Sequence, residues 1–224
     1  NLILVTIPVN ATKTLIPELL DIINNDQIVM DFGSTKVGIC EAVKHHKNRS
    51  VFVAAHPIAG TENTGPHAAI DDLFKEKVCI ICEKELSNEK ALNAANKMFD
   101  ALEMRVLFMD AEEHDRHIAY VSHLSHISSF VLGKTVLEIE KDEKNIFNMA
   151  GSGFASTVRL AKSNPNMWAP IFAQNSNHLS TALGAYIENL QEFKNFLDSN
   201  DQSKMHDLME KTNEIRRVLK GIEK

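Results

Sequence analysis

Short apolar segments alternate with helical patterns over the first 110 residues of this chain, and that alternation limits the folds open to it. The apolar segments are continuous, as in strands that are buried on both faces of a sheet, and the first of them is predicted to be fully buried. Between them, apolar side chains recur at helical spacing, as Leu15, Leu19 and Ile22 do. Strands that alternate with helices form a parallel α/β sheet. The predicted strands are residues 2–7, 27–32, 51–55, 77–82 and 105–109.

The predicted helices of this half cover residues 12–25, the segment from the turn 33–36 to about residue 47, and residues 87–101. Ser34 or Thr35 is the predicted N-cap of the second helix, and Ser87 that of the third. After Asp110 only helical periodicity remains, and Pro165 is predicted to be the first residue of a helix. The sequence therefore predicts an α/β domain over residues 1–110 and an all-helical domain over residues 111–224, which pairs with a second copy in a homodimer.

Composition excludes several classes of protein. The net charge of −6 argues against nucleic acid and anionic membranes as partners. The three cysteines are an odd number, so a disulfide framework is not expected and a reducing compartment, the cytoplasm, fits. Cys79 and Cys82 have the spacing of a redox pair, but they lie in a predicted strand, where residues three apart point to opposite faces. No apolar segment approaches the length of a membrane span.

His56 follows the strand 51–55 and begins an irregular polar loop that runs to Pro66. Ligands of open α/β sheets bind at the carboxyl ends of the strands, and histidine is suited to proton transfer near neutral pH. Ser34 occupies the same kind of position after the neighbouring strand. Because parallel neighbours lie about 4.8 Å apart, Ser34 and His56 could meet at this edge. The alternatives are that Ser34 only caps a helix and that His56 only completes a strand end.

Four of the ten histidines lie between residues 114 and 126. The pairs His114/His117 and His123/His126 are centred about 13 Å apart along a helix, so one metal ion cannot bind all four, and no metal site is predicted. His126 and Ser122 are the residues predicted to face the cleft. Arg159 follows the helix start at Gly151 to Gly153, a combination that favours anions.

These motifs together resemble those of the prephenate/arogenate dehydrogenase family. The segments that carry the resemblance are His-Pro-Ile-Ala-Gly-Thr-Glu at 56–62, Asp-Phe-Gly-Ser-Thr-Lys at 31–36, Glu-His-Asp-Arg-His at 113–117, Ser-His-Leu-Ser-His at 122–126, and Gly153-Phe154 with Arg159 and Pro-Asn-Met-Trp at 165–168. The resemblance extends over nearly the whole chain, from residue 2 to at least Trp168.

The resemblance implies a Rossmann-like dinucleotide-binding domain, then a helical dimerisation domain, and the oxidative decarboxylation of prephenate or arogenate with NAD or NADP as hydride acceptor. It implies that His56 accepts the proton of the ring hydroxyl with Ser34 beside it, and that tyrosine could inhibit at the same site. The residues implied to act are, for catalysis, His56, Ser34 and His126; for substrate binding, Arg159, Ser122, Thr61 and Glu62, the last two in a gating segment; and for cofactor binding, Thr6, Pro8 and Ser34.

The sequence departs from the family pattern in two places. Ala155 and Ser156 stand where many members carry Lys-Asp, which puts any role of that charged pair in doubt. The glycine-rich phosphate turn of a Rossmann fold is also absent, so that about 60 to 80 further residues are expected before Asn1. Two alternatives stay open: a hydroxy-acid dehydrogenase of the same two-domain type, which would generally use a lysine as acid/base, and a truncated, non-catalytic ligand-sensing dimer.

Overall fold

The structure is a computed structural model that describes residues 1–24, 26–63, 65–141, 143 and 145–222. Residue 25, the end of the first predicted helix, and residue 64 of the loop after His56 lie outside the described residues. The strands are β1 (Leu2–Val5), β2 (Ile28–Asp31), β3 (Phe52–Pro57), β4 (Val78–Cys82) and β5 (Arg105–Met109). Between them lie the helices α1 (Val9–Ile22), α2 (Val37–Val43) and α3 (Glu89–Ala101).

The strands form one sheet in the order β1-β2-β3-β4-β5. β1, β2 and β3 are mutually parallel, and β4 is parallel to β5, but β4 runs antiparallel to β3. The prediction of a wholly parallel sheet is therefore wrong at one strand pair. A parallel neighbour needs a crossover connection, usually a helix. The described part of the connection from Ile58 to Lys77 has only turns and one short 3-10 segment, so the chain returns directly beside β3.

The first strand is not fully buried, contrary to the prediction. Ile3 and Val5 pack into the core beside α1, whereas Leu2 and Leu4 are 39% and 47% exposed. β1 is an edge strand of the described sheet, and α3, which covers the opposite face, packs against the strands further along. Period-two geometry then leaves alternate side chains of β1 without a covering helix.

Each face of the sheet has its own hydrophobic core. Val29, Phe52 and Cys82 point to one side, together with side chains of α1 and α2. The other cluster, beside α3, includes Cys79. The prediction that Cys79 and Cys82 lie on opposite faces is confirmed, and burial raises the pKa of the Cys79 thiol to about 12. Cys40, Cys79 and Cys82 are all buried free thiols, so the C-x-x-C spacing is not a redox pair here.

The rest of the chain is helical. The helical segment from residue 111 to residue 140 contains a π-helical turn, Ala119–His123. No described helix is long and apolar enough to cross a membrane. The described chain forms two compact units, Asn1–Leu179 and Ser180–Lys224. The helices are α4 (Ala111–Ile118), α5 (Leu124–Glu140), α6 (Ser152–Val158), α7 (Pro165–Gln174), α8 (Ser176–Asp198), α9 (Gln202–Thr212) and α10 (Arg216–Ile222).

Helix starts follow local sequence where a short polar side chain is available. Pro165 is the first residue of α7, as predicted, and the side chain of Asn164 accepts a hydrogen bond from the Asn166 N–H. The predicted cap Ser87 is wrong by one residue. Asn88 caps α3, while the Ser87 hydroxyl donates to the Phe52 carbonyl at 2.6 Å, because Ser87 is buried against β3.

Candidate active site

His56 lies at the carboxyl end of β3, in the strand register opposite Ile80 of β4. The strand before it is fully buried, whereas His56 is partly exposed. The turn after β2, which contains Ser34, reaches the same edge because β2 and β3 are parallel. The predicted placement of both residues at the carboxyl edge of the sheet therefore agrees with the structure.

The hydrogen bond of the His56 side chain goes to a histidine, not to Ser34. His56 Nδ1 lies 2.8 Å from Nε2 of His114, which is in α4. No hydrogen bond joins Ser34 to His56 among the described residues, and this part of the prediction is corrected. His114 is 1% exposed, and its Nδ1 lies 2.7 Å from Oδ1 of Asp115. The three side chains thus form a continuous chain, His56–His114–Asp115.

Asp115 also caps α2. Its carboxylate accepts hydrogen bonds from the backbone N–H of Lys36 at 2.8 Å and of Val37 at 2.9 Å. The predicted caps Ser34 and Thr35 are wrong, because the first turn of α2 is satisfied by a carboxylate from a distant helix. Thr35 instead hydrogen-bonds to Gln174 of α7 at 2.7 Å. Asp115 therefore holds α2, α4 and the turn after β2 in one arrangement.

A buried ion pair lies beneath this turn. The Lys36 ammonium contacts Oδ2 of Asp31 at 2.5 Å and donates to the Ala55 carbonyl at 2.8 Å, and both side chains have 0% exposure. Burial raises the pKa of the Asp31 carboxyl, although Lys36 opposes this. A Cβ at Gly33 would lie 3.1 Å from the same carboxylate, so only glycine fits there without displacing it. The ion pair thus fixes the turn that carries Ser34.

The histidines at this edge are held neutral. Burial lowers the pKa of His56 well below its ordinary value, and the nearby His114 and Lys36 lower it further. Burial also lowers the pKa of His114, although Asp115 acts in the opposite direction. A neutral imidazole can accept a proton, which is the requirement for a general base.

His126 and Ser122 lie on the helical side of the site. The His126 ring stacks on Trp168 with the ring centroids 3.5 Å apart, and its Nδ1 donates to the Ser122 carbonyl at 3.0 Å. Ser122 thus contacts His126 through its backbone, and both side chains are partly exposed. Burial lowers the pKa of His126. Beside them His123 is 1% exposed, and burial lowers its pKa to about 4.

Arg159 and Glu62 form an ion pair that joins the loop after β3 to the helical part. Arg159 is 50% exposed and Glu62 only 17%. Arg159 follows the last residue of α6, so it lies about 12 Å along the axis from the helix start at Gly151. The Arg159 guanidinium pairs with Glu62 here, and its joint action with the helix start on an anion stays a prediction. Thr61 accepts a hydrogen bond from the Asn63 N–H at 3.2 Å and stays exposed.

The proposed cofactor residues lie at the end of β1. Thr6 and Pro8 are exposed at the carboxyl edge, and Pro8 precedes α1. No side chain in the described part of the chain caps the first turn of α1, so its leading N–H groups have no such partner there. Among the described residues, the side chains spaced to hold a metal ion are His206, Asp207 and Glu210, which are exposed and in the second compact unit.

Comparison with known proteins identifies the family. Residues 1–108 match the family model "Prephenate dehydrogenase, nucleotide-binding domain", and residues 110–211 match "Prephenate dehydrogenase, dimerization domain". The chain belongs to the prephenate dehydrogenase family. The predicted fold class, an α/β Rossmann-like dinucleotide-binding domain followed by a helical dimerisation domain, is confirmed.

Relatives and solved structures of the family resemble most of the chain. A cyclohexadienyl dehydrogenase of Zymomonas mobilis is 27% identical over 98% of this chain and 75% of its own length. A prephenate dehydrogenase of Bacillus subtilis is 25% identical over 89% of this chain and 54% of its own length. The crystal structure of prephenate dehydrogenase from A. aeolicus, in complex with hydroxyphenyl propionate and NAD+, has a TM-score of 0.87 and 26% identity and covers 97% of this chain and 76% of its own. The chain therefore spans between about half and three quarters of the length of these relatives.

Three residues at the centre of the candidate site are not among those predicted from the sequence. They are His114, Asp115 and Lys36. His114 and Asp115 lie in the segment 113–117, where the spacing of the histidines is equally typical of a metal ligand and of a surface or core histidine. Two local features of the sequence could have indicated these residues. Aspartate beside histidine in the first turns of a helix can orient the ring, and a lysine in a turn after a buried strand can be drawn to that strand's aspartate.

Proposed function

We propose that the protein catalyses the oxidative decarboxylation of prephenate to 4-hydroxyphenylpyruvate, with NAD as hydride acceptor, in tyrosine biosynthesis. The family supports this reaction, and so does the solved relative from A. aeolicus, whose structure contains hydroxyphenyl propionate and NAD+. NADP remains the alternative cofactor. The proposal concerns the full-length protein, since the chain spans 75% of one relative and 54% of another.

The observation that carries the proposal is the neutral, partly exposed His56 at the carboxyl edge of the sheet. In this reaction the C4 hydroxyl gives up its proton as hydride leaves C4, and loss of the ring carboxylate as CO2 makes the ring aromatic. His56 accepts that hydroxyl proton, and its lowered pKa keeps it in the accepting form at neutral pH. We assign Ser34, in the neighbouring turn, to the substrate hydroxyl or the nicotinamide rather than to His56.

The residues of the chain fit a dinucleotide at this edge. Bound NAD supplies the hydride acceptor. Thr6 and Pro8 follow β1, which lies two places from β3 in the sheet, roughly 10 Å away at about 4.8 Å per strand. The uncapped first turn of α1 offers N–H groups to an anionic or polar part of the cofactor. Thr6, Pro8 and Ser34 would therefore line the side of the site that takes the cofactor.

A substrate with two carboxylates needs a cationic partner, and Arg159 is an exposed cation that contacts the loop after β3. In this structure its guanidinium pairs with Glu62, so a carboxylate already occupies the position that a substrate carboxylate would take. Exchange of Glu62 for substrate would release the loop that holds Thr61, which is the gating role proposed for this segment. His126, stacked on Trp168, and Ser122 complete the polar wall.

Arogenate is the second candidate substrate. It has an ammonium group where prephenate has a keto oxygen, and Glu62 is an acid beside the proposed carboxylate site that could pair with such a group. Turnover of the two substrates by the same preparation distinguishes them. If arogenate is the natural substrate, removal of the Glu62 charge in a Glu62→Gln variant should weaken the binding of arogenate more than the binding of prephenate.

We also propose a homodimer formed through the helical part, cytoplasmic location, and tyrosine as an inhibitor at the active site. The match to a dimerization domain supports the first, together with exposed apolar side chains such as Leu190 and Leu197 of α8. Three buried free thiols support a reducing compartment. Tyrosine is the product formed from arogenate, and it shares its phenol ring with 4-hydroxyphenylpyruvate, so it should compete for the same groups.

The test is turnover by the full-length protein with prephenate and NAD, followed by the near-ultraviolet absorbance of reduced nicotinamide. His56→Asn should lower kcat by about 10²- to 10⁴-fold with KM little changed, the usual worth of a general base. His117→Asn is the control, because His117 is an exposed histidine of α4 that has no role in the proposed site. An absence of turnover in the parent, or an unchanged kcat in His56→Asn, would refute the proposal.

A further inference from the structure

The side chain that contacts His56 is itself held by a carboxylate. His114 bonds to His56 through Nε2 at 2.8 Å and to Asp115 through Nδ1 at 2.7 Å. His114 is buried, and these two contacts use both of its ring nitrogens. An imidazole with both nitrogens engaged transmits a protonation state from one partner to the other, because in the neutral ring one nitrogen donates and the other accepts.

The protonation pattern starts from Asp115. Its carboxylate accepts the backbone N–H groups of Lys36 and Val37, which can only donate. Asp115 Oδ1 is therefore an acceptor toward His114 as well, and His114 Nδ1 carries the hydrogen. The neighbouring carboxylate of a histidine commonly fixes its tautomer in this way.

The state of His114 then determines which nitrogen of His56 carries a hydrogen. Burial lowers the pKa of His114, so the ring is neutral and its Nε2 has a lone pair. His56 Nδ1 must therefore donate its hydrogen to His114 Nε2 across the 2.8 Å contact. The other nitrogen of His56, Nε2, is left without a proton, and no described residue hydrogen-bonds to it.

We propose that His114, anchored by Asp115, is a positioning residue that fixes His56 in the tautomer whose Nε2 is free to accept the substrate proton. The catalytic consequence rests on the function proposed above, whereas the tautomer itself is a property of the folded chain. Without His114, a His56 ring in either tautomer or flipped orientation would present an N–H to the substrate hydroxyl for part of the time. Proton transfer would then be lost in that fraction.

A purely structural role for His114 makes a different prediction. If His114 only fills space behind β3, its replacement lowers stability but leaves the His56 tautomer unchanged. Two variants separate the roles. Asn at position 114 reaches only as far as the Nδ1 position, so it can bond to Asp115 but stops short of His56. Gln reaches the Nε2 position, and its amide oxygen can accept from His56 Nδ1.

The first measurement is the side-chain nitrogen–proton NMR correlation of the histidines in the full-length protein at neutral pH, with His56→Asn used to identify the His56 signals. In the parent we expect Nδ1 of His56 protonated and Nε2 bare. His114→Asn should convert His56 to a mixture of tautomers, and His114→Gln should preserve the parent pattern. This readout needs no substrate, so it tests the inference even if the proposed reaction is not observed.

The second measurement is steady-state kinetics with prephenate and NAD. His114→Asn should lower kcat by about 10- to 1,000-fold, within the range of a general base, with KM little changed. His114→Gln should recover most of this loss. The inference is overturned if the parent shows Nε2 of His56 protonated, if His56 has the same tautomer in His114→Asn as in the parent, or if His114→Asn and His114→Gln lower kcat equally.

Discussion

At the residue scale, Lys36 places a full charge inside the protein with 0% of its side chain exposed. Its partners are the carboxylate of Asp31 and the carbonyl of Ala55. Removal of one member of a buried pair leaves the other charge unpaired in a medium of low polarity. We expect Lys36→Met to lower the free energy of unfolding by about 3–5 kcal/mol, measured by urea denaturation.

Two further variants show whether the pair, rather than the packing of a long side chain, explains this loss. Asp31→Asn combined with Lys36→Met removes both charges and keeps an acceptor for the Gly33 N–H, so it should recover a large part of the stability. Lys44→Met breaks an exposed pair with Glu41 and should change stability by less than about 0.5 kcal/mol. Equal losses in Lys36→Met and Lys44→Met would contradict the burial argument.

At the element scale, α2 depends on α4 for its first turn, because Asp115 is the acceptor for two of its leading N–H groups. Asp110 is the local N-cap of α4: its exposed side chain accepts a hydrogen bond from the Glu113 N–H at 2.6 Å. Asp110→Ala should cost about 1 kcal/mol, the usual worth of an N-cap. Asp115→Ala should cost about 2–4 kcal/mol, because it also leaves buried donors without a partner. Thermal unfolding of the two variants side by side measures this, and equal losses would mean that α2 starts without help from α4.

The same two helices show which elements a sequence reveals. The predicted strand 105–109 is observed as β5, Arg105–Met109. It could be predicted because the periodicity of a strand is a local property of the sequence. The cap of α2 could not be found locally, since Asp115 is 79 positions from Lys36. The antiparallel β4 was missed although the connection 58–77 carries no helical pattern, because the alternation elsewhere implied parallel strands.

The candidate site divides in the same way. His56 could be placed from sequence because the end of a strand determines the sheet edge it occupies. Its partner could not, because His114 is 58 positions away and the contact depends on how α4 packs against the sheet. The pairing of Arg159 with Glu62, 97 positions apart, could not be predicted for the same reason. Tertiary contacts between polar side chains are therefore the part of the site that requires a structure.

At the scale of the whole molecule, several buried or half-buried histidines make stability depend on pH. Burial lowers the pKa values of His56, His114, His123 and His126. In the unfolded chain a histidine takes up a proton near pH 6.5, so below that pH the unfolded state binds more protons than the folded one. Stability contributed by these groups is therefore complete above about pH 6.5 and falls as the pH decreases toward each folded value.

His123 gives the measurable case, because burial lowers its pKa to about 4. Each pH unit in the window below 6.5 should cost about 1.4 kcal/mol for this residue, or about 2 kcal/mol between pH 6.5 and pH 5. Asp31, whose pKa is raised by burial, acts in the opposite direction, so the difference between parent and variant is the useful quantity.

His123→Asn cannot take up a proton, and its free energy of unfolding should fall less steeply from about pH 7 to about pH 5 than that of the parent. His117→Asn, at an exposed histidine, should follow the parent profile. If the His123→Asn profile were parallel to that of the parent, His123 would have to be protonated in the folded protein. Its Nδ1 could then no longer accept from the Asn175 amide, at the 3.2 Å contact that now joins them.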